Sequence, residues 1–284
     1  MKAYLDTNIL RQLKKIPENP NVELFCSQLG IMELIAGMTS DKEYSIRKSA
    51  LENIKKRGIT IIWDSVKTLQ IKAFALPIKD YDVEATRMLM DEILKTSTLS
   101  EAQNIRIDFG NETYSLSVVT NYDNSQAEDS TTLLGKTSLI SKEDRKYLRE
   151  NSYTASDIRL LTELTAINFL RSMGIRKFEP GQESNPDREF TPEYINSIEH
   201  FSKGNILINY MKFIGIYTID SMRNGTLPGK NDGHDIGHLA YSDNVDLFIS
   251  DDKIYQRLPH EYFPLEFLKL DEFLTRYYSS PQKE

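Results

Sequence analysis

The chain has 284 residues, a formal net charge of −7 and a single cysteine, Cys26, so an intrachain disulfide is excluded and a reducing compartment suits it. The negative balance argues against a broad, sequence-independent nucleic-acid surface, but not against a compact acidic site whose charge bound cations reverse. No apolar run is long enough to span a bilayer, and the length allows one large domain or two.

In chain order, Met1 to Leu5 predicts a strand, with Asp6-Thr7-Asn8 directly after it. Thr7 and Asn8 can bond the turn and fix the Asp6 carboxylate in one orientation. Because the strand begins almost at Met1, no targeting peptide is expected, and the cytoplasm is the expected location. Ile9, Leu10 and Leu13 give an apolar helical face, and Pro17 to Pro20 mark a loop. Val22 to Cys26 predicts a second strand. Ser27 is placed to cap a helix over Gly30 to Met38 that carries one acid, Glu33, among apolar neighbours. Residues 41–57 predict an amphipathic helix with Lys55, Lys56 and Arg57 at its C-terminus, ended by Gly58. Ile59 to Trp63 predicts a third strand, and Asp64-Ser65 caps a helix whose Val66, Leu69, Ala73 and Phe74 form a packing face.

From residue 77 the pattern changes. Pro77 breaks the helix and Val83 to Leu94 restarts one. Ile105–Phe109 and Thr113–Val119 predict a β-hairpin around Gly110-Asn111, and Asn121 to Ser130 reads as a polar loop. Lys142–Asn151 and Thr154–Met173 predict helices, Phe178–Thr191 a loop, and Pro192 the first turn of another helix. Lys142, Arg145, Lys146 and Arg149 recur at spacings of three or four. Glu143, Asp144 and Glu150 balance them, so the strip reads as a solvated helix face ahead of a phosphate-positioning one. Ile206–Met222 predicts a helix, Asn224–Asn231 a loop, Leu265–Leu274 a closing strand or helix, and 277–284 a frayed tail.

The chemistry-bearing stretch lies near the C-terminus. Asp232-Gly233-His234-Asp235-Ile236-Gly237-His238-Leu239-Ala240 opens a helix, and Leu247–Ile249 is a buried strand running into Ser250-Asp251-Asp252. Carboxylates thus stand at a helix start, where they are electrostatically favoured, and at the end of the next strand. In an open α/β sheet the crevice outside the carboxyl ends of the strands is where ligands bind.

Taken in order, these motifs resemble the PIN domain, a family of metal-dependent nucleases. Its opening strand ends in Asp-Thr-Asn, as at Asp6-Thr7-Asn8. A strand, a Ser and a Glu-bearing helix follow, as at Ser27 and Glu33. An Asp then heads a small apolar helix with Ala, as at Asp235 to Ala240. A last strand closes on Ser, one residue and Asp, as at Ser250-Asp251-Asp252. The match spans about 1–75 and 205–275.

The resemblance implies an α/β fold, three-layer α/β/α with a central, mostly parallel sheet. The core would be 1–76 and 205–276, interrupted by a mainly helical insertion, 77–204, with one β-hairpin, and followed by the tail 277–284. It implies metal-dependent phosphodiester hydrolysis by an endoribonuclease. Mg²⁺ or Mn²⁺ would be the cofactor, and nucleic acid the partner, RNA ahead of DNA. A protein partner or a second copy is a further expected partner, and a membrane is not. Asp6 and Asp235 would be direct ligands, Asp252 a ligand directly or through water, and Glu33 an outer ligand or orienting group.

Hard divalent ions prefer oxygen ligands, and a pair of them can activate water and stabilise a leaving oxygen. Four acids crowded without metal repel one another, so a cation removes a real cost. Thr7, Asn8 and Ser250 read as orienting groups. The resemblance, through the family's spacing, implies Asp252 ahead of its neighbour Asp251, and Asp232 would be an additional ligand or a cap. His238, three residues after Asp235, and His234 invite a transition-metal reading, but packing is the preferred role for His238. Cys26, among apolar residues, is not expected to be a nucleophile. The sequence has no Gly-x-Ser-x-Gly, His-Glu-x-x-His, phosphate-binding loop or dinucleotide fingerprint. An Asp-nucleophile phosphatase would need a second Asp where Asn8 stands. The remaining alternative is a nuclease-like domain that binds RNA or a protein without cutting.

Overall fold

The computed structural model describes residues 1–19, 21–76, 82–109, 112–125, 141–151, 154–172, 192–226, 229, 231–257 and 259–278. Its centre is a parallel five-stranded sheet. The strands are β1 (Lys2–Leu5), β2 (Glu23–Ser27), β3 (Thr60–Ile62), β6 (Leu247–Ile249) and β7 (Glu266–Leu268), in the order β3-β2-β1-β6-β7. β1 lies in the middle, pairing Tyr4 with Phe25 on one side and with Phe248 on the other. Ala3, Tyr4 and Leu5 are fully buried, as a strand covered on both faces requires.

The order matters for the site. From β1 the chain builds outward through β2 and β3, then returns to the opposite side of β1 with β6 and β7. The direction of winding therefore reverses between β1 and β6. Crossover connections leave a crevice at such a switch point, outside the carboxyl ends of the two strands. Asp6 follows β1 and Ser250 follows β6 at this place, and the Asp6 N–H continues the ladder onto the Ile249 carbonyl at 3.1 Å.

The flanking helices start where the sequence supplies caps. Ser27 accepts from the Gly30 N–H ahead of helix Gln28–Ala36, and Ser65 accepts from the Thr68 N–H ahead of Val66–Ala73. Helix Asp41–Lys56 ends before Gly58, whose positive φ of 60° suits glycine. Helix Ile208–Asn224 is held at its start by Asp243, which accepts from the Ile208 and Asn209 N–H groups.

The described part of 77–204 packs onto the sheet layers. Helix Asp82–Lys95 lies against Gln28–Ala36 and Asp41–Lys56, with Gln28 donating to Thr86 at 3.0 Å. Helix Ala155–Ser172 packs on Ile208–Asn224, and Phe74 stacks on both Phe169 and Phe201.

Two expectations are corrected here. The hairpin exists, but β4 (Ile107–Phe109) pairs only with β5 (Glu112–Tyr114), and residues 116–125 are helical. Ser115 accepts from the Val118 N–H, and Leu116 and Val119, three apart, are buried, so capping and helical spacing override the β-branched composition. Leu265–Leu274 divides into strand β7 and the helix Leu270–Tyr278, which takes in the first two residues of the expected tail. A further helix, Leu99–Gln103, is nucleated by a capping box: Thr98 accepts from the Glu101 N–H while the Glu101 carboxylate accepts from the Ser97 N–H.

Pro77, the Gly110-Asn111 turn, Ser130, the 178–191 loop, Pro228 and 279–284 lie outside the described residues. In the basic strip, Arg145 and Arg149 donate to the Met222 and Arg223 carbonyls and Lys146 sits 3.8 Å from Glu150. Two of the four cations thus hold the end of Ile208–Asn224.

Candidate metal and catalytic site

Asp6 is only 2% exposed. One carboxylate oxygen accepts from the Thr7 N–H at 2.6 Å; the other accepts from the Ser250 hydroxyl at 2.6 Å and the Asn8 amide at 3.0 Å. Asn8 also donates to Asp252 and accepts from the Asp251 N–H at 3.2 Å, so one side chain ties the end of β1 to the end of β6. Ser250 takes the Asp252 N–H at 3.1 Å, folding that residue back toward Asp6.

Glu33 approaches from helix Gln28–Ala36. Its Oε2 accepts from the Thr7 hydroxyl and lies 2.9 Å from His238 Nε2. The same imidazole nitrogen is 3.2 Å from Asp6 Oδ1. His238 is therefore wedged between two carboxylates, 1% exposed. Its Nδ1 lies 2.6 Å from the Tyr4 hydroxyl, which lies 2.6 Å from the Ser27 hydroxyl. Tyr4 shares a strand face with Asp6, two residues on, so the period of a strand aims both into the site.

Asp235 stands on helix Asp232–His238, three residues before His238, and Tyr255 donates its hydroxyl to the Asp235 carbonyl. Among the described residues, no hydrogen bond reaches the Asp235 carboxylate.

The electrostatics follow from this crowding. Burial pushes Asp6 above the usual carboxylate range, with Glu33 and Asp252 adding to it against the pull of His238 and Ser250. Burial, with Asp252 and Asp6 as nearby charges, pushes Asp235 up to about 8. Burial also acts on Glu33, but His238, His234 and Thr7 outweigh it and hold that acid well below its ordinary range. Burial disfavours charge on His238, yet Glu33 and Asp6 raise it to about 10, so it is an imidazolium at neutral pH. Burial raises the Cys26 thiol, so it is no thiolate.

The structure thus brings Asp6, Glu33 and Asp252 together, with Thr7, Asn8 and Ser250 bonded to them, and sets Asp235 near enough to feel their charges. It turns two other candidates away. Asp251 accepts from the Leu270 N–H at 3.1 Å and from Gln12 at 3.3 Å, capping the last helix. Asp232 accepts from the Tyr217 hydroxyl and the Gly229 N–H, so it ties its helix to the loop before it and to helix Ile208–Asn224. His238 is more than packing: its ring nitrogen lies between the Asp6 and Glu33 carboxylates, the three groups within 4.8 Å of one another. Sequence reasoning missed Tyr4, His234 as a contact of Glu33, and Asp123. Strand period would have found Tyr4; Asp123 sits in the stretch misread as loop.

No family model, no curated protein and no solved structure matches the chain.

Proposed function

We propose that the chain is a divalent-metal-dependent nuclease of the PIN type, with a three-layer core, acting as an endoribonuclease. The observation that carries this reading is the meeting of Asp6, Glu33, Asp235 and Asp252 at the switch point between β1 and β6. Acids from opposite ends of the sequence share a crevice in which the imidazoles of His234 and His238 lie beside Glu33. The donors fit Mg²⁺ or Mn²⁺: hard carboxylate oxygens, one of them, on Asp235, lacking any protein hydrogen bond among the described residues. Asp6, Asp235 and Asp252 would hold the ion, with Glu33 and His238 adjoining. Such an ion supplies a nucleophilic water at neutral pH and a counter-charge to phosphate oxygens.

The chain's own residues do the rest. Thr7, Asn8 and Ser250 keep the Asp6 and Asp252 oxygens aimed at one point. His238, anchored by Tyr4, offsets the charge of Asp6 and Glu33.

The test is cleavage of RNA and DNA panels by the purified chain in Mg²⁺ or Mn²⁺, with EDTA as control. The expected result is metal-dependent cleavage of RNA, abolished in Asp6→Asn, which removes a charge and little volume. Equal activity in Asp6→Asn and wild type would reject the assigned site. RNA binding without cleavage would make the chain a binding module.

A further inference from the structure

We propose that Asp123, carried by the segment between β3 and β6, is a positioning residue of the acid site: it holds His234, and His234 holds Glu33. The inference rests on reading the acid crevice as a divalent-cation site and adds a part of it that the core motifs do not contain.

The helical residues 116–125 are docked on the core. Leu116 and Val119 are buried, and the Thr120 hydroxyl donates to the Ala36 carbonyl at 3.0 Å, at the end of the helix that bears Glu33. This brings the Asp123 carbonyl to 2.9 Å from His234 Nε2. A carbonyl oxygen has no proton to give, so Nε2 carries the hydrogen and the ring orientation is set. The other ring nitrogen, Nδ1, then faces two carboxylates, Glu33 Oε1 at 3.5 Å and Asp123 Oδ1 at 3.7 Å. The Asp123 Oδ1 atom is enclosed and accepts no hydrogen bond, so its partner is the imidazole across from it.

Glu33 is consequently gripped at both oxygens. Oε2 is held from the sheet side by Thr7 and His238, and Oε1 from the inserted side by His234. The terminal torsion of a glutamate is broad and two-fold, so a grip at one oxygen leaves the carboxylate plane free to turn. Partners behind a ligating carboxylate commonly decide whether it meets a metal. The inserted segment is therefore part of the site's construction.

The experiment titrates Mn²⁺ into the full-length chain by calorimetry, with circular dichroism confirming that each variant is folded. Asp123→Asn keeps the main-chain carbonyl and the volume but removes the charge facing His234. It and His234→Phe are each expected to weaken Mn²⁺ binding about 10- to 100-fold. The double variant should bind no more weakly than His234→Phe alone, because Asp123 acts through His234. Wild-type affinity in Asp123→Asn alongside lost binding in Asp6→Asn would overturn the role of Asp123 and leave the acid site standing. So would additive losses in the double variant. A wild-type chain that binds no Mn²⁺ would refute the metal reading itself, and this role with it.

Discussion

The two sides of the crevice hold their acids by different means. On the sheet side, Asp6 and Asp252 are oriented mainly by neutral donors, Ser250, Asn8 and a backbone N–H, with the His238 imidazole 3.2 Å from Asp6. On the helix side, Glu33 is held by two imidazoles. The outcome is opposite proton affinities a few ångströms apart: Asp6 is raised by burial, Glu33 lowered because the imidazoles outweigh burial. Neutral hydrogen bonds fix geometry without cancelling charge, whereas an ion pair cancels it. The sheet side is thus aimed and only partly compensated, by the one imidazole that it shares with Glu33, whereas the helix side is compensated by two. Environments that drive neighbouring carboxylates apart in this way divide their roles.

The largest effect expected from breaking this contrast is on the sheet side. Asp252→Asn should lower metal-dependent RNA cleavage by about 10³-fold, the equivalent of several kcal/mol of charge stabilisation. Gel assays at saturating Mg²⁺ measure it. On the helix side, His238→Phe removes the imidazolium between Asp6 and Glu33 and leaves both charges buried without it. Urea denaturation should show a loss of about 3 kcal/mol, and added Mn²⁺ should recover part of it if the ion supplies the missing positive charge.

The pH dependence of the metal-free protein comes next. Asp235 is raised from its ordinary range to about 8, so it costs stability progressively as pH rises toward that value. His238 is raised to about 10, so its stabilisation is complete below an ordinary imidazole's titration and is lost as pH climbs toward that value. Both trends have the same sign between neutrality and pH 8, and Glu33, held low, stays ionised throughout and adds no slope there. Stability should fall by on the order of 5 kcal/mol from pH 6 to pH 8.5. Because ligands bind metal deprotonated, Mg²⁺ should raise the Tm more at pH 8 than at pH 5.5. A metal-free stability that rises over this range would contradict the arrangement of charges. The smallest effect is expected at Asp251→Asn, which weakens a cap and costs about 0.5–1 kcal/mol, with cleavage within a few-fold of wild type.

Much of the core was legible because its signals are local. Ser27 and Ser65 announce helix starts, Gly58 a helix end, and the apolar run before Asp6 a buried strand. The site acids were legible through the order of short motifs, which also pointed to Asp252 over Asp251. The switch point itself was not, because β1 and β6 are neighbours only through the fold. His238 was misread as packing because a histidine on an apolar helix face looks the same whether it fills a core or sits between two acids. Asp123 was illegible for a different reason. The Thr, Tyr and Val residues of 113–119 favour a strand by composition, and only the Ser115 cap and the spacing of Leu116 and Val119 signal the helix that delivers Asp123.

The most direct test of the central claim is to crystallise the chain with Mn²⁺ and collect anomalous diffraction at the manganese edge. The account predicts an anomalous peak in the crevice, bonded to carboxylate oxygens of Asp6 and Asp235 and close to Asp252, and its loss in Asp6→Asn. A well-ordered crevice with no peak at millimolar Mn²⁺, and His238 still lying between Asp6 and Glu33, would contradict it.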